Sequence, residues 1–412
     1  MTPAIAASTR GVSDSAPASG EHSPLPLHRA RRLHIDTGQE AIVYLHRDSQ
    51  VCRSEGFRSE TRIWVHIGNR GTLATLNVFT GDLLAPEEAG FSEAAWAALG
   101  AEEGQAVEFA HALPLESLRH VRAKIHGQRL DAPAFAAIVT DIAAGHYSDI
   151  HLASFLTACA GDRLDTGEIT DLTRAMIAAG ARLEWGRRTV MDKHSVGGLP
   201  GNRTTLIAVP IVTAAGVIMP KTSSRAITSP AGTADTMEML APVDLDVPAM
   251  RRVVEQEGGC IVWGGSARLS PADDVLIRIE RPLDIDSSGQ LVASVLSKKA
   301  AAGVTEVLVD LPVGPTAKIR SVIEAQRLCT RLVDVGQAVG LRVLPVMTDG
   351  TQPVGHGIGP ALEARDAVRV LQGDPEGPPE LRERALLLAG YLLELAGKAA
   401  AGAGQAMARE IL

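Results

Sequence analysis

The second half of the chain repeats one pattern, in which a short apolar run is followed by a polar loop and then by an apolar helix. Residues 189–191 and 217–219 are the first two runs, with helices predicted from about Thr204 and Ala231, and residues 306–311 are a later run. Such alternation is typical of an α/β domain with a largely parallel sheet, whose sites lie at the carboxyl ends of the strands. The polar loops of this chain fall at those ends.

The rest of the chain divides by composition and period. Residues 1–30 are rich in Ala, Ser and Pro, lack the apolar stretch of a signal peptide, and predict a disordered tail. Residues 31–112 contain short alternating runs broken by turn residues, which indicate a small β-rich domain. Residues 113–186 predict a helical domain, and residues 187–412 predict the α/β domain, with later segments completing the helical one.

The helical prediction rests on a change of period. Leu115, Leu118, Val121 and Ile125 fall on one face of a helix, which favours their burial against neighbouring helices. Nothing in this region has the spacing of a metal site, so we expect its residues to be structural.

Composition excludes several classes of function. The 412 residues carry a formal charge of -8, which argues against binding to a nucleic-acid polymer or an anionic membrane surface. The four cysteines are widely spaced, so neither a disulfide scaffold nor a zinc site is expected. Without an apolar stretch of roughly 20 residues, we expect a soluble, cytoplasmic protein.

Two polar loops predict an anion site. Residues 192–202 combine Lys193 and Ser195 with glycines that allow close approach of the backbone, although an ordinary tight connection would look similar. Residues 220–233 hold two cations and six hydroxyl side chains, which a solvated loop could also contain. Because both loops follow strands of the same predicted sheet, a shared anion site is the favoured interpretation.

Two later segments add charged side chains. A third cluster contains Arg278, Asp286, Ser294, Lys298 and Lys299, although a lysine pair at the end of an amphipathic helix is usually solvated. Lys318 closes a fourth loop after a strand, which could equally be a plain connection.

Six motifs follow one another along these segments: K-H-S-V-G-G at 193–198, K-T-S-S-R-A-I-T at 221–228, A-G-T-A-D at 231–235, V-W-G-G at 262–265, P-A-D-D at 271–274 and A-S-V-L-S-K-K at 293–299. In this order they resemble the family of thymidine phosphorylases and AMP phosphorylases. The resemblance reaches from the β-rich region to about Leu371 and is closest to the long-chain branch with an N-terminal β-rich domain.

The resemblance implies a helical domain facing an α/β domain across a cleft, commonly as a homodimer, with phosphate held by the α/β domain. Members of the long-chain branch continue beyond the position of Leu412 into a β-rich segment that completes that domain and bears on closure of the cleft. The phosphate ligands that the resemblance implies are Lys193, Ser195, Thr205, Ser223 and Thr233.

The resemblance also implies positions around the nucleoside. Asp286 matches the proton donor of the AMP-specific branch, and His194 is the second catalytic candidate. Arg278, Ser294 and Lys298, with His194, match base-contacting positions of the thymidine-specific branch. The nucleotide-binding positions of the AMP-specific branch are Gly198, Ser224, Arg225, Ala226, Ile227, Thr228, Ser229, Thr233, Ser294 and Lys318.

The reaction implied is phosphorolysis of the N-glycosidic bond of a nucleoside or a nucleoside 5'-phosphate, giving free base and a pentose 1-phosphate or 1,5-bisphosphate. Inorganic phosphate is then a co-substrate, and no cofactor or metal is expected. Thymidine phosphorylase is the leading expectation, and AMP phosphorylase comes second. A magnesium-dependent phosphoribosyltransferase of the anthranilate type and a catalytically silent binding protein are also compatible with the sequence.

Overall fold

The computed structural model divides after Pro114 into two compact units. Most of the predicted tail, residues 1–27, lies outside the described part of the chain. The structure describes residues 28–197, 199–226, 231–265, 269–285 and 287–412.

In the first unit, the described residues include six strands that close into a barrel in the order β1-β5-β2-β4-β3-β6. The β1/β5 and β2/β4 pairs are parallel, and the other neighbours are antiparallel. Alternate side chains such as Ile63 and Val65 point into the core. This confirms the β-rich region. The elements are β1 His28–Arg32, β2 Ile42–His46, α1 Gln50–Glu55, β3 Arg62–Ile67, β4 Arg70–Phe79, β5 Glu88–Phe91, α2 Glu93–Leu99 and β6 Ala106–His111.

The boundary predicted for the tail is late, since β1 begins at His28. The strand is rich in arginine and carries little apolar signal, so the sequence pattern did not reveal it. Its pairing with β5 and β6 and the burial of His28 and Ala30 make it a strand.

The second unit contains a helical part built from two stretches of sequence. α11 packs on α6, and α10 packs on α4 and α5, so segments after β9 belong to the helical part. The helices are α3 Leu118–Ile125, α4 Ala132–Ala143, α5 Asp149–Cys159, α6 Thr166–Ala178, α10 Pro271–Leu283 and α11 Ser288–Ala301.

The expected inner face of α3 is partly wrong. Ile125 is 52% exposed, whereas Val121 and Lys124 are buried. Lys124 Nζ donates to Glu168 Oε1 at 2.6 Å and to the Arg163 carbonyl at 2.7 Å. A buried lysine needs such partners, and hydropathy periodicity does not reveal them.

The α/β part has parallel strand pairs throughout, which confirms the predicted sheet. β11, β10 and β7 lie side by side, β8 pairs with β9, and a parallel bridge between Val190 and Ile218 joins the two groups. The elements are β7 Met191–Ser195, α7 Thr204–Ala214, β8 Met219–Ser223, α8 Thr233–Glu238, α9 Val247–Glu257, β9 Gly259–Trp263, β10 Glu306–Val313, α12 Val322–Ala338, β11 Arg342–Asp349, α13 Pro360–Leu371, α14 Pro379–Leu395 and α15 Gly404–Ile411.

Two strands extend further than expected. The apolar runs predicted strands at 189–191 and 217–219, but β7 runs to Ser195 and β8 runs to Ser223. The polar residues that we assigned to loops therefore lie in the strands themselves. Lys193 and Lys221 are buried there, which ion pairs described below make possible.

Two of the connections between the helical part and the α/β part lie side by side. One links α6 to β7, and the other links α11 to β10. The Leu183 amide donates to the Ala301 carbonyl at 2.8 Å, and Trp185 Nε1 donates to the Ala302 carbonyl at 2.8 Å. Gly303, with φ +72°, leaves no room for a side chain next to the Leu183 carbonyl.

Candidate active site

A cleft in the second unit gathers the ends of β7 and β8 on one side and residues of α10 and α11 on the other. The two polar segments that predicted an anion site therefore meet in space. The predicted site residues that line this cleft are His194, Ser195, Thr205, Ser223, Ser224, Arg225, Ala226, Thr233, Ser294, Lys298 and Lys318.

Lys193 lies behind the lining, fully buried. Its Nζ donates to Ser195 Oγ at 2.5 Å, to Thr204 Oγ1 at 2.8 Å and to Thr205 Oγ1 at 3.3 Å. Ser195 and Thr205 line the cleft, so the lysine polarises hydroxyl groups that an anion can contact. The side chain acts from below the surface of the cleft.

Asp310 on β10 provides the counter-charge. Its Oδ2 lies 3.9 Å from Lys193 Nζ and accepts from Ser195 Oγ at 2.8 Å and from Asn202 Nδ2 at 3.1 Å. Burial lowers the pKa of Lys193 to about 8, although Asp310 opposes that shift. Lys193 is therefore mostly charged at neutral pH but close to its titration range.

A second buried cationic group lies under the same cleft. Lys299 Nζ forms an ion pair with Asp192 Oδ2 at 2.6 Å and donates to the Thr222 carbonyl at 3.0 Å. Lys221 Nζ lies 3.8 Å from Asp192 Oδ1. Burial, followed by the charge of Lys299, holds the pKa of Lys221 well below its usual range. Two lysines thus share one carboxylate, and a negative group bound nearby would favour the charged form of Lys221.

His194 shares this environment. Burial, followed by the charges of Lys299 and Lys221, holds the pKa of the imidazole well below its usual range. The ring is therefore neutral at physiological pH and can offer one donor and one acceptor to a ligand.

The wall formed by α10 and α11 carries acidic and basic groups. Lys298 Nζ lies 2.5 Å from Asp273 Oδ2 and donates to Ser294 Oγ at 3.0 Å. Asp274 lines the cleft from α10. Burial, reinforced by Asp273, raises the pKa of Asp274 to about 6.

Arg225 is held by acidic neighbours rather than left open. Its guanidinium donates to Glu238 at 2.6 and 3.0 Å and to Asp235 at 3.2 Å, and it lies 5.0 Å from the ring centroid of Trp263. The hydrogen bond to Glu238 raises the pKa of Arg225. The group is a fixed charge at the rim of the cleft, with its orientation set by three neighbours.

Arg278 does not join the cleft in the described structure. Its guanidinium is directed at α5, where it donates to Asp149 at 2.7 and 2.9 Å. The resemblance predicted a contact between Arg278 and the base, but the ion pair with Asp149 directs the side chain away from the cleft, whereas Asp274 of the same helix lines it. The predicted site residues that lie outside the described residues are Gly198, Ile227, Thr228, Ser229 and Asp286.

The sequence analysis gave no site role to Lys221, although it counted that lysine among the cations of its loop, or to Lys299, although it placed that lysine in the third cluster. It missed Asp274 and Asp310 as parts of the site. Lys221, Lys299 and Asp274 are themselves members of the quoted motifs, and alternation along an extended β8 would have placed Lys221 on the face of Ser223. Asp310 had no local signal, because its partners lie on other elements.

Within the described residues, no group of three or more His, Cys, Asp or Glu side chains is placed to hold a metal ion. Each helix in the same residues is too short or too polar to cross a bilayer.

Comparison with known proteins assigns the two parts of the second unit. A model of the glycosyl transferase family, helical bundle domain, matches residues 119–180, and one of the glycosyl transferase family, a/b domain, matches residues 187–412. "Putative thymidine phosphorylase 2" of Acidovorax sp. (strain JS42) is 65% identical over 384 residues, 93% of this chain and 75% of that protein. The chain belongs to the thymidine phosphorylase family. "Putative thymidine phosphorylase" of Legionella pneumophila (strain Corby) is 57% identical, over 93% of this chain and 74% of that protein.

Membership of the thymidine phosphorylase family confirms the resemblance carried by the motifs and makes the chain an enzyme of the pentosyltransferase type. Solved structures agree on the fold. Anthranilate phosphoribosyltransferase from Thermus thermophilus is 22% identical with a TM-score of 0.59, covering 71% of this chain and 94% of that one. The enzyme from Saccharomyces cerevisiae, in complex with PRPP and Mg, is 15% identical with a TM-score of 0.56, covering 72% and 93%.

Proposed function

We propose that the chain catalyses phosphorolysis of the N-glycosidic bond of a nucleoside or a nucleoside 5'-phosphate, with thymidine as the first substrate to test. The observation that carries the proposal is the cleft in which hydroxyl groups of Ser195 and Thr205 stand over the buried Lys193. A floor of this kind suits an oxyanion. The names of the relatives support the same reaction.

In the proposed reaction, one oxygen of phosphate attacks C1' of the sugar while the bond to the base breaks. The hydroxyls of Ser223 and Thr233 join those above Lys193 in orienting phosphate. Fixing the nucleophile in this way can be worth up to about 7–11 kcal/mol of the barrier. The negative charge of phosphate stabilises the positive charge that develops on the sugar.

The departing base must not carry full negative charge. Lys298 and Ser294 line the wall where the base would lie, and Asp274 adds a carboxyl with a raised pKa. Asp286, which by resemblance matches the proton donor of the AMP-specific branch, stays our candidate for the acid. General acid catalysis is worth about 10²–10⁴ in rate.

The direct test is release of free base from a panel of nucleosides and nucleoside monophosphates, with and without phosphate. We expect release that requires phosphate and yields a pentose 1-phosphate or 1,5-bisphosphate. Release that depends on diphosphate and magnesium instead would favour a phosphoribosyltransferase. Tight binding of nucleoside without turnover would favour a silent binding protein.

The finer question is whether the substrate carries a 5'-phosphate, as in an AMP phosphorylase. Ser224, Arg225 and Lys318 line the cleft and could hold a second phosphate. Arg225→Ala should then reduce kcat/KM much more with a nucleotide than with a nucleoside. Arg251→Ala is a matched control, because Arg251 also stacks on a tryptophan, at 5.5 Å from the Trp185 ring centroid. Equal losses with both substrates would reject the 5'-phosphate contact.

Three further expectations belong to this proposal: a homodimer, a cytoplasmic location and turnover without a metal or an organic cofactor. Light scattering with a concentration series tests the first. Activity that survives dialysis against EDTA tests the last, and a loss restored by magnesium would contradict it.

A further inference from the structure

Asp310 connects several parts of the proposed phosphate subsite. Oδ2 accepts from Ser195 Oγ and Asn202 Nδ2, and Oδ1 accepts from Thr348 Oγ1 at 2.6 Å. The same carboxylate lies 3.9 Å from Lys193 Nζ. Asp310 is fully buried and does not itself line the cleft in the described structure. It can therefore act on a ligand only through other side chains.

The Ser195 hydroxyl has a single proton, and the described contacts commit it. Lys193 Nζ donates to Ser195 Oγ at 2.5 Å, and that oxygen donates in turn to Asp310 Oδ2 at 2.8 Å. An entering oxyanion must compete with Asp310 for this proton. The Asp310 carboxylate thus weakens the contact between Ser195 and the anion, while it holds in place the Lys193 ammonium that attracts the anion.

Asp310 is the neighbour that most favours the charged form of Lys193. The charged groups that act on its ammonium are Asp310 on β10, Asp192 on β7, Arg203 before α7 and Arg384 on α14. The two arginines disfavour the charged lysine, and of the two carboxylates Asp310 has the larger effect. Removal of Asp310 would leave a buried ammonium beside two guanidinium groups, and burial disfavours its charged form.

We propose that Asp310 is a positioning residue of the phosphate subsite, which holds Lys193 and Ser195 in the arrangement that binds an oxyanion and keeps Lys193 charged. The inference rests on the proposed function. Its signature is that the effect of removing Asp310 on oxyanion affinity depends on pH. At a pH low enough for Lys193 to be protonated even without Asp310, loss of Asp310 frees the Ser195 proton and costs little affinity for the oxyanion. At higher pH, loss of Asp310 leaves Lys193 neutral and affinity falls.

The test is the affinity of the folded protein for sulfate, whose charge is constant between pH 6 and pH 9, measured by isothermal titration without nucleoside. For Asp310→Asn we expect affinity within about threefold of the parent at pH 6 and about 10-fold or more weaker at pH 8, since one pKa unit corresponds to a tenfold change in the charged fraction. Ser195→Ala should weaken binding by a similar factor at both values, because it removes one donor and leaves the Lys193–Asp310 pair.

Equal losses at both pH values, or no loss at pH 8, would overturn the positioning role. If Asp310→Asn does not fold, Asp310→Ser carries the same test, and failure of both to fold would assign Asp310 to stability alone and overturn the proposal. Suppose that the parent releases base in a phosphate-dependent assay, but the loss of sulfate affinity in Asp310→Asn does not change with pH. Only this inference then fails, and the proposed function stands. If the parent binds neither sulfate nor phosphate, the proposed function fails with it.

Discussion

Replacing Lys193 by methionine removes the buried charge under the cleft and keeps a side chain of similar length. Lys193 Nζ lies 2.5 Å from Ser195 Oγ, and a hydroxyl donates to a phosphate oxygen over roughly 2.7 Å, so the charge would lie about 5 Å from the anion. With an effective dielectric of about 20, one charge pair at about 5 Å is worth about 3 kcal/mol. That energy corresponds to about a 100-fold change in affinity.

We therefore expect Lys193→Met to raise the KM for phosphate about 100-fold at pH 7, with little change in the affinity for the nucleoside. In the parent, kcat/KM for phosphate should fall above pH about 8, where the Lys193 ammonium loses its proton, and the variant should lack this decline. Steady-state kinetics at saturating nucleoside between pH 6 and pH 9 measures both effects. Lys398→Met, a change of an exposed lysine, is the control. A variant whose KM for phosphate stays within threefold of the parent would refute the reasoning.

Three further predictions concern other parts of the unit. Asp274→Asn should raise the free energy of unfolding at pH 8 by on the order of 2 kcal/mol and have less effect at pH 4. The folded-state pKa of Asp274 is raised to about 6, so the carboxyl stabilises the fold below its unfolded pKa, and that stability is lost as pH rises through 6. Urea unfolding at both pH values checks the sign. Glu168→Gln should cost about 3 kcal/mol in the same assay, since it leaves Lys124 buried without its carboxylate, and an unchanged midpoint would contradict this. Gly201→Ala should lower the affinity for phosphate, because φ of Gly201 is +73° and an added Cβ would lie 1.8 Å from the Val354 carbonyl oxygen. A sulfate affinity equal to that of the parent, measured by titration, would count against it.

The order of the elements and the convergence of the two polar segments could be predicted from sequence, because strand, loop and helix alternate clearly and the ends of parallel strands meet at one edge. The true ends of β7 and β8 could not. A pattern of apolar and polar residues treats Lys193 and Lys221 as exposed, whereas their burial depends on Asp310 and Asp192.

The direction in which individual helix side chains point could not be predicted from the sequence either. Arg278 and Asp274 are four residues apart on α10 and could both have faced the cleft by spacing alone. The ion pair of Arg278 with Asp149 on α5 fixes the rotation of the helix, and that contact depends on tertiary packing.

The two adjacent connections between the helical part and the α/β part determine how the cleft can change its width. Because the Leu183 amide and the Trp185 indole are hydrogen-bonded to the chain at Ala301 and Ala302, these points cannot separate without breaking both bonds. A change of cleft width that keeps both bonds must leave these two points in contact, so the walls of the cleft can only move about them.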